Sequence, residues 1–379
     1  MTDAGTAPLA ILHVDPERGL GGGERQVLGL VRHLAAAGHR QAVAGDPAGA
    51  LLPAAARLGA GGRPLRVRHH LDVVAGRRLA RLLAAERYDI VHFHTARAHA
   101  LAAFLGRPRG VRRVVTRRMD YAPRGGWYAR WLYNHAVDAV VAISEGVRAV
   151  LVSGGVDAAH VRVVPSGVEP DEFAADAATR AAARACFALA ADEVAVAVIG
   201  ALETRKGHAV LLEALAGLAA PRPRVLCAGA GSRETALRAH AARLGLAERV
   251  TFLGRLDDVR PVLAAADVVA MPSLHEGLGV AALEAMAAER PLVASRVGGL
   301  PEAVGDGVAG LLVPPGDVAA LGAALARLVV DAALRAALGA AGRARVCARF
   351  TVAGMAAGTL ALYRELRGTG SDGRVARAS

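Results

Sequence analysis

Cysteine, lysine, aromatic residues and long apolar runs are all scarce in this chain of 379 residues. Its cysteines, Cys186, Cys227 and Cys347, lie far apart and never form a CxxC pair, which disfavours both a disulfide framework and a cysteine zinc site. The best apolar run, Val194–Leu202, has half of the roughly 18 residues that a membrane-spanning helix needs. Residues 1–8 lack the charged and apolar regions of a secretion signal. We therefore expect a protein of the reducing cytosol.

The charge balance is basic, with 46 lysine and arginine residues against 34 acidic residues and a formal net charge of +12. Such an excess favours contact with an anionic partner such as nucleic acid, a membrane surface or a phosphorylated substrate. Lys206 is the only lysine in the sequence, so the other 45 cations are arginines. A lone lysine either occupies a place that the wide guanidinium fork does not fit or has survived by chance, and the count alone does not decide.

Short apolar segments alternate with stretches of helical periodicity, and 54% of the residues are hydrophobic. This pattern is typical of α/β proteins, in which helices cover both faces of a parallel sheet. Roughly ten strands exceed what one doubly wound sheet usually holds, so we expect two such domains. The predicted strands are Leu9–Val14, Gln41–Ala44, Asp89–Phe93, Val111–Thr116, Ala139–Ile143, Val194–Ile199, Arg224–Ala228, Val250–Phe252, Val268–Met271 and Leu292–Ala294.

Both periodicities break at Val164–Pro170, where two prolines and a glycine stand close together. We place a domain boundary there. After Gly316 the chain becomes helical, and the composition beyond Arg367 predicts a disordered tail. The predicted organisation is an N-terminal domain at 1–168, a C-terminal domain at 169–350, a last helix at 351–367 and the tail at 368–379.

Three glycine-rich loops follow predicted strands and open predicted helices. Gly19–Glu24 lets the backbone approach a ligand and offers helix N–H groups to an anion, although it lacks dinucleotide spacing. Gly200–His208 has the layout of a phosphate cradle with Lys206 at the mouth of the helix, but it is not a Walker loop, which disfavours an NTPase. Gly229–Glu234 is a truncated GxGxxG motif and a weak sign of dinucleotide binding.

The most informative segment is Pro272–Met286, where Glu276 and Glu284 stand eight residues apart around a glycine-flanked turn. A helix is predicted to start near Gly279, so Glu276 lies in the loop and Glu284 about one turn into the helix. Main-chain N–H groups at such a helix start bind anions. Leu283 turns the helix toward the core, where a carboxylate needs a partner.

The run from Glu276 to Glu284 resembles the glutamate–seven–glutamate motif of retaining glycosyltransferases of family 4, also called group 1. Other segments agree with this family in order and spacing across residues 8–366. They are Gly21–Glu24, Val91–His94, Val140–Gly146, Val164–Val168 with Phe173, Lys206–Gly207, Pro291–Ser295 and Gly298–Glu302. The resemblance implies the GT-B architecture of two Rossmann-like, doubly wound parallel-sheet domains facing a cleft, with a C-terminal helix returning toward the N-terminal domain.

The resemblance also implies roles for the matching residues. Glu284 would bind the ribose hydroxyls of a nucleotide-sugar, Lys206 the diphosphate, and Glu276 the transferred sugar. His94 would lie near the reacting sugar. No metal and no cofactor are expected, because cationic side chains and a helix dipole stabilise the leaving diphosphate. The implied donor-binding residues are Gly22, Gly23, Arg205, Lys206, Gly277, Leu278, Gly279 and Glu284, and the implied catalytic residues are His94, Lys206 and Glu276.

Three positions depart from the family pattern. Ala201 stands where most members place an arginine beside the lysine, so either Arg205 substitutes for it or Lys206 acts alone. Ser166 replaces the linker asparagine, and Leu278 replaces a phenylalanine between two glycines. These departures concern donor affinity more than the fold.

His92 and His94 alternate on a predicted strand and therefore share a face. Without the resemblance, a structural role is favoured for both histidines. With Asp89 as the only nearby acid, a two-histidine metal site would lack ligands, so no metal is predicted.

The stretch Arg107–Tyr133 holds eight arginines, one acid and both tryptophans. Arginine with tryptophan is typical of an interfacial membrane segment, and it equally suits an anionic glycolipid or phosphorylated acceptor. A helix with an aromatic core face and solvated arginines fits as well, whereas no nucleic-acid-binding motif accompanies the charge. The residues predicted to face an acceptor or membrane are Arg112, Arg113, Arg117, Arg118, Trp127 and Trp131.

The sequence thus predicts a retaining, metal-independent glycosyltransferase that uses a nucleotide-diphosphate-sugar and a glycan, glycolipid or lipid-linked acceptor in cell-envelope polysaccharide, lipopolysaccharide or glycolipid synthesis. The expected location is the cytoplasm or the inner face of the cytoplasmic membrane. Alternatives are a GT-B isomerase or phosphorylase, an NAD-dependent oxidoreductase resting on Gly229–Gly231 and Glu248, and a non-catalytic anion- or membrane-binding module. A phosphorylase would need a pyridoxal-phosphate lysine, which the loop position of Lys206 disfavours.

Overall fold

The structure, a computed structural model, describes residues 7–106, 110–123, 125–219 and 222–368. It divides into two compact units. The N-terminal unit comprises the residues up to Ser166 together with those from Val352 onward, and the C-terminal unit comprises Gly167–Thr351. The chain therefore leaves the N-terminal unit once and returns to it for its last helix.

A parallel sheet of seven strands forms the centre of the described N-terminal unit. Its strands are β1 (Ala10–Val14), β2 (Arg40–Gly45), β3 (Gly61–Pro64), β4 (Ile90–Phe93), β5 (Arg112–Arg117), β6 (Ala139–Ala142) and β7 (Val161–Val163). They pair in the order β3–β2–β1–β4–β5–β6–β7. The direction of winding therefore reverses between β1 and β4, and a parallel α/β sheet binds ligands at such a reversal point.

Helices cover this sheet, and side-chain caps begin several of them. They are α1 (Gly22–Ala36), α2 (Leu51–Ala56), α3 (Val73–Ala85), α4 (Ala96–Ala100), α5 (Gly126–Asn134), α6 (Glu145–Ser153) and the chain's last helix, α15 (Val352–Gly368). Asp72, Thr95 and Ser144 accept the hydrogen bond that caps α3, α4 and α6, respectively. Such caps satisfy backbone N–H groups that have no partner inside the helix.

The last helix belongs to the core of the N-terminal unit. Tyr363 of α15 is fully buried, and it shares one apolar cluster with Leu30 and Leu34 of α1. The two helices approach closely at Gly29, where a Cβ would lie 2.6 Å from a methyl group of Val352. Each large apolar side chain buried in this way contributes about 1.5–3 kcal/mol. The predicted return of the C-terminal helix is confirmed.

The C-terminal unit is built on a second parallel sheet, of six strands in the described residues. Its strands are β8 (Ala195–Ile199), β9 (Arg224–Ala228), β10 (Val250–Gly254), β11 (Val268–Met271), β12 (Leu292–Ser295) and β13 (Gly310–Val313), in the order β10–β9–β8–β11–β12–β13. Its helices are α7 (Ala177–Cys186), α8 (His208–Ala216), α9 (Glu234–Arg243), α10 (Arg260–Ala265), α11 (Val280–Ala287), α12 (Leu300–Val304), α13 (Val318–Val330) and α14 (Ala332–Arg349). The winding reverses between β8 and β11.

The ten predicted strands are all present, and the prediction of two doubly wound parallel sheets is confirmed. The three further strands, β3, β7 and β13, each lie at an edge of a sheet. Among the described residues, no helix combines the length and the hydropathy needed to cross a bilayer. The predicted disordered tail covers residues 368–379, and of these the residues after 368 lie outside the described part of the chain.

Candidate functional site

The reversal point of the C-terminal sheet brings two predicted residues together. Lys206 ends a single 3₁₀ turn after β8, and Glu276 lies in the loop after β11, the neighbouring strand. Lys206 Nζ forms an ion pair with Glu276 Oε2, and Ser273 Oγ lies 3.3 Å from the same oxygen. Only 15% of the lysine side chain and 11% of the glutamate side chain are exposed. Charges this well shielded need partners, because an unpaired buried charge is strongly destabilising.

Backbone contacts hold the two loops against each other. The Leu274 amide donates to the Arg205 carbonyl at 2.7 Å. Gly207 has a φ of +68°, and a Cβ at this position would lie 1.8 Å from the carbonyl oxygen of Pro272. A side chain there would meet backbone as well as strain, so the glycine that follows Lys206 is required by packing.

The remaining predicted donor residues lie in and after the same loop. Glu284 is the fifth residue of α11 and is buried, as the spacing predicted. Gly279, with a φ of +84°, precedes the first turn of that helix, and Leu278 is fully buried. The Gly277 carbonyl accepts from the Gly299 amide at 2.6 Å. The loop is therefore held on both sides by backbone hydrogen bonds to neighbouring segments, at Arg205 and at Gly299.

Arg205 does not join the shielded pair. Its Nε donates to Glu203 at 2.7 Å, and a third of the side chain is exposed. Lys206 is accordingly the cation that the structure places against Glu276, while Arg205 has a surface partner of its own.

The reversal point of the N-terminal sheet carries neutral side chains. His13 on β1 stands in register with His92 on the adjacent β4, and His94 follows that strand. One nitrogen from each ring lies within 4.8 Å of the others. The rings of His92 and His94 have centroids 4.1 Å apart, so the predicted shared face is confirmed. All three side chains are buried.

Hydrogen bonds occupy most of the nitrogens in this histidine cluster of His13, His92 and His94. His13 contacts Gln41 and His94, and His92 contacts Thr116 and Tyr363. Burial lowers the pKa of His13 to about 4 and holds the pKa values of His92 and His94 well below the usual value. The rings are therefore neutral at pH 7. Five of the six ring nitrogens have partners, so a metal ion would have to displace existing bonds.

The glycine loop of the N-terminal unit lies against a charged group. Glu24 Oε2 accepts from the Gly21 amide at 2.6 Å, which fixes the start of α1. A Cβ on Gly23 would lie 3.8 Å from Cδ of Arg118, whose Nε and Nη1 are buried and have no hydrogen-bond partner in the described part of the chain. The charges of Asp15 and Glu24 act on this guanidinium. Burial and the charge of Glu24 raise the pKa of Asp15 to about 7.

The prediction that the arginines around β5 face a membrane is wrong for Arg113 and Arg117. β5 is an interior strand between β4 and β6, and these two residues are only 4% and 9% exposed. Arg118 is half-buried against the glycine loop rather than on an open surface. Nη1 of Arg112 lies 3.7 Å from Oδ1 of Asp138. Residues 107–109 and 124 of the basic stretch lie outside the described ranges.

The two tryptophans on α5 are exposed. Trp127 is 73% exposed and Trp131 is 38% exposed. The alternative of an aromatic core face is therefore wrong for both.

Sequence comparisons connect both units to one family. The profile described as "Glycosyltransferase Family 4" matches residues 20–172, and the profile described as "Glycosyl transferases group 1" matches residues 193–331. A GDP-mannose-dependent alpha-(1-6)-phosphatidylinositol monomannoside mannosyltransferase of Mycolicibacterium smegmatis is 34% identical over 285 residues, which cover 70% of this chain and 74% of that enzyme. The chain belongs to glycosyltransferase family 4.

One further relative and one solved structure are similar to this family 4 chain. It is 47% identical over 170 residues to the D-inositol 3-phosphate glycosyltransferase of Mycobacterium sp. (strain KMS), a match that covers 43% of this chain but spans only 38% of the relative's length. HepE of Anabaena, solved in complex with UDP and glucose, is similar in structure with a TM-score of 0.82 at 22% identity, over 96% of this chain and 100% of HepE. The expected GT-B fold is confirmed.

Packing accounts for the glycines on which the oxidoreductase alternative rested. A Cβ on Gly229 would lie 1.9 Å from the Gly200 carbonyl oxygen, and one on Gly231 would lie 2.4 Å from that of Leu202. These glycines of the family 4 chain allow two backbone segments to touch, so no dinucleotide is needed to explain them.

Sequence reasoning missed His13, Gln41, Asp15 and Ser273. The first three lie on or directly after β1 and β2, far in sequence from His92 and His94, and the order of the strands places β1 between β2 and β4. A signal for His13 existed, because it occupies the penultimate position of a buried strand that ends at a ligand-binding edge. Ser273 lies within the segment Pro272–Met286, but nothing in the sequence distinguishes it from its neighbours there. Only the structure shows that its hydroxyl lies near Glu276.

Proposed function

We propose that this family 4 protein transfers a sugar from a nucleoside-diphosphate sugar to a hydroxyl group, with retention of anomeric configuration and without a metal ion. The observation that carries the proposal is the shielded Lys206–Glu276 pair at the reversal point of the C-terminal sheet. A compact ammonium group in that place suits a diphosphate, and the adjacent carboxylate suits sugar hydroxyls.

Donor binding would exchange the partners of this pair. A diphosphate arriving at the site bonds to Lys206, and Glu276 then accepts from hydroxyls of the transferred sugar. Gly277, Leu278 and Gly279 lead into α11, whose first turn offers backbone N–H groups and the positive end of a dipole to the same anion. Glu284, one turn into that helix, accepts from the ribose hydroxyls.

The reaction needs stabilisation of the departing diphosphate more than it needs a nucleophilic side chain. The bond from the anomeric carbon to the diphosphate breaks, the bond to the acceptor oxygen forms on the same face, and the acceptor proton passes to the diphosphate. Lys206 and the helix dipole favour the developing negative charge, as fixed cations and dipoles do in other enzymes. Glu276→Gln and Glu276→Ala are expected to lower the turnover rate, because each changes the carboxylate that accepts from hydroxyls of the transferred sugar.

The acceptor that we propose is a polyol that carries a phosphate. Two similar proteins are named for inositol 3-phosphate and for a phosphatidylinositol monomannoside. The buried Nε and Nη1 atoms of Arg118, which have no hydrogen-bond partner among the described residues, support a phosphate close to Gly22 and Gly23. Buried N–H groups without a hydrogen-bond acceptor are costly, and a phosphate can accept from both of these nitrogens.

A peripheral place on the cytoplasmic face of the membrane is part of the proposal. The exposed rings of Trp127 and Trp131 support it, because tryptophan prefers the boundary between water and lipid. With Arg113 and Arg117 buried, attraction to anionic lipid rests on fewer cations than the sequence suggested. We therefore expect the tryptophans to contribute more to membrane binding than these arginines.

The test is a screen of UDP-, GDP- and ADP-sugars against inositol, inositol phosphate and a phosphatidylinositol glycolipid, with release of the nucleoside diphosphate as the readout. Supporting results are release that depends on both donor and acceptor, persists in EDTA and is lost in Lys206→Ala. Strict dependence on added Mg²⁺ or Mn²⁺ would contradict the metal-free mechanism. An absence of acceptor-dependent release with every donor, from folded protein that binds none of them, would overturn the proposal.

A further inference from the structure

Three buried side chains form a hydrogen-bonded chain across the reversal point of the N-terminal sheet. Gln41 Oε1 lies 2.8 Å from His13 Nε2, and His13 Nδ1 lies 2.9 Å from His94 Nε2. The exposed fractions of Gln41, His13 and His94 are 5%, 0% and 4%. The positions of the protons in this chain are therefore set by protein atoms.

The direction of the bonds follows from the first member. The Gln41 side-chain amide donates to the His39 carbonyl at 3.3 Å, which turns Oε1 toward His13. A carbonyl oxygen only accepts, so His13 Nε2 must carry a proton. Because burial keeps His13 neutral at pH 7, the ring has no second proton and its Nδ1 is bare.

The same reasoning passes to His94. The bare Nδ1 of His13 accepts, so His94 Nε2 must donate and therefore holds the one proton of that neutral ring. Burial, with the neighbouring rings and the positive charge of Arg118, keeps the pKa of His94 low. His94 Nδ1 is left with a lone pair, and it is buried without a hydrogen-bond partner in the part of the chain that the structure describes. A buried acceptor of this kind needs a donor.

We propose that Gln41 and His13 are positioning residues that hold His94 in the tautomer with a bare Nδ1, so that His94 accepts a hydrogen bond from an O–H group of a sugar or polyol. The same tautomer rejects a phosphate or carboxylate oxygen at Nδ1, because two acceptors cannot bond to each other. The identity of the hydroxyl rests on the proposed function, whereas the tautomer does not.

His92 lies outside this chain and provides the matched control. Its two nitrogens contact the hydroxyls of Thr116 and Tyr363 at 2.7 and 2.5 Å, and a hydroxyl can donate or accept. Thr116→Val therefore disturbs the same buried cluster without touching the bonds that run from Gln41 to His94. A purely structural role for the cluster predicts equal effects of changes at Gln41 and Thr116.

The test is ¹⁵N NMR of histidine-labelled protein, in which the ring-nitrogen shifts separate a protonated from a bare nitrogen. His94→Gln identifies the signals of His94. We expect wild-type His94 to carry its proton on Nε2 between pH 6 and 8, and Thr116→Val to leave this unchanged. Gln41→Leu removes the acceptor that orients His13, so the His94 proton should then divide between both nitrogens.

Gln41→Glu gives an opposite and pH-dependent signature. A carboxylate beside His13 raises the pKa of that ring, and a doubly protonated His13 must donate to His94 Nε2. The His94 proton then moves to Nδ1 as the pH falls and returns to Nε2 as it rises. The proposal is overturned by a wild-type His94 that carries its proton on Nδ1, by a Gln41→Leu spectrum identical to wild type, or by Zn²⁺ that binds all three rings at equimolar concentration.

A functional arm separates this proposal from the proposed function. In Gln41→Leu, turnover of the active nucleotide-sugar should fall about tenfold, the effect of one lost hydrogen bond, while affinity for the free nucleoside diphosphate stays at the wild-type value. Correct NMR signatures without turnover of any donor would refute the proposed function and leave the tautomer intact. Turnover with an unchanged rate in Gln41→Leu would refute the positioning role and leave the function intact.

Discussion

The two sheets reverse their winding at equivalent places, between β1 and β4 and between β8 and β11, yet they bring different chemistry there. The C-terminal reversal point holds a charged pair, Lys206 and Glu276, fixed by backbone contacts. The N-terminal reversal point holds neutral imidazoles joined by side-chain hydrogen bonds. The same topology thus carries an ion pair in one unit and a hydrogen-bonded chain of neutral rings in the other.

The difference decides which perturbation each region tolerates. A charged pair can change partners when an anion binds. The affinity for that anion therefore depends on the charges and on the loop that carries them. A chain of neutral rings depends on where each proton lies, so pH and the tautomer matter more than net charge. Backbone, charge, pH and surface can therefore be changed separately, and each change should affect one region.

The largest effect is expected when a side chain is added at Gly207. Gly207→Ala combines a left-handed backbone with a clash against the Pro272 carbonyl oxygen, and we expect a loss of about 2–5 kcal/mol in unfolding free energy. Gly245→Ala is the control, because its φ of +69° is nearly the same and no atom lies within 4 Å of the added Cβ. It should cost about 1–2 kcal/mol. Equal losses in urea unfolding would show that the two loops do not constrain each other.

The next effect concerns affinity in the C-terminal unit. Lys206→Ala removes the shielded cation, so binding of a nucleoside diphosphate should weaken by about 1.5–3 kcal/mol, the cost of a charge-assisted contact. Arg205→Ala, which removes a cation that is already paired with Glu203, should weaken it far less. Calorimetric titration measures both variants, and the reverse order would transfer the diphosphate role to Arg205.

A third effect separates the regions by pH. The folded pKa of His13 is about 4 and its unfolded value is about 6.5, so the folded state binds fewer protons between these values and loses stability as the pH falls. The unfolding free energy of wild type should fall about 1.5–2 kcal/mol more than that of His13→Gln between pH 6.5 and 5. His69→Gln, which changes an exposed histidine, should keep the wild-type slope. Parallel slopes for wild type and His13→Gln would contradict the buried neutral ring.

The smallest effect on stability is expected at the surface of the N-terminal unit. Trp127→Ser should change the unfolding free energy by less than about 0.5 kcal/mol, because the ring is 73% exposed. The same change should reduce co-sedimentation with anionic vesicles. Val330→Ser, which alters a residue of the C-terminal unit that is 80% exposed, should leave vesicle binding unchanged. An equal loss of vesicle binding in Trp127→Ser and Val330→Ser would contradict a membrane role for α5.

Much of the fold could be predicted because interior strands of parallel sheets are continuous apolar runs. β1 and β11 are buried on nearly every residue, and their sequences are nearly continuous apolar runs. The strands that escaped prediction, β3, β7 and β13, are at sheet edges, where one side lacks a neighbouring strand. β3 reads Gly-Gly-Arg-Pro, and only its pairing with β2 makes it a strand.

The site of the C-terminal unit was more predictable than that of the N-terminal unit. Glu276 and Glu284 are close in sequence, so their spacing already carries the geometry. His13 and His94 are 81 residues apart and meet only because β1 and β4 are neighbours, which the sequence does not state. The prediction for the arginines of β5 failed for the same reason. Charge on a strand does not reveal that the strand lies in the interior of the sheet.

The most direct test of the central claim is calorimetric titration of one nucleoside diphosphate and its sugar conjugate into three proteins: wild type, Lys206→Ala and Gln41→Leu. The account predicts that Lys206→Ala weakens binding of both ligands, whereas Gln41→Leu leaves the affinity for the free nucleoside diphosphate at the wild-type value. Wild-type affinity of Lys206→Ala for the free diphosphate, in a folded protein, would contradict the assignment of charge recognition to the C-terminal unit.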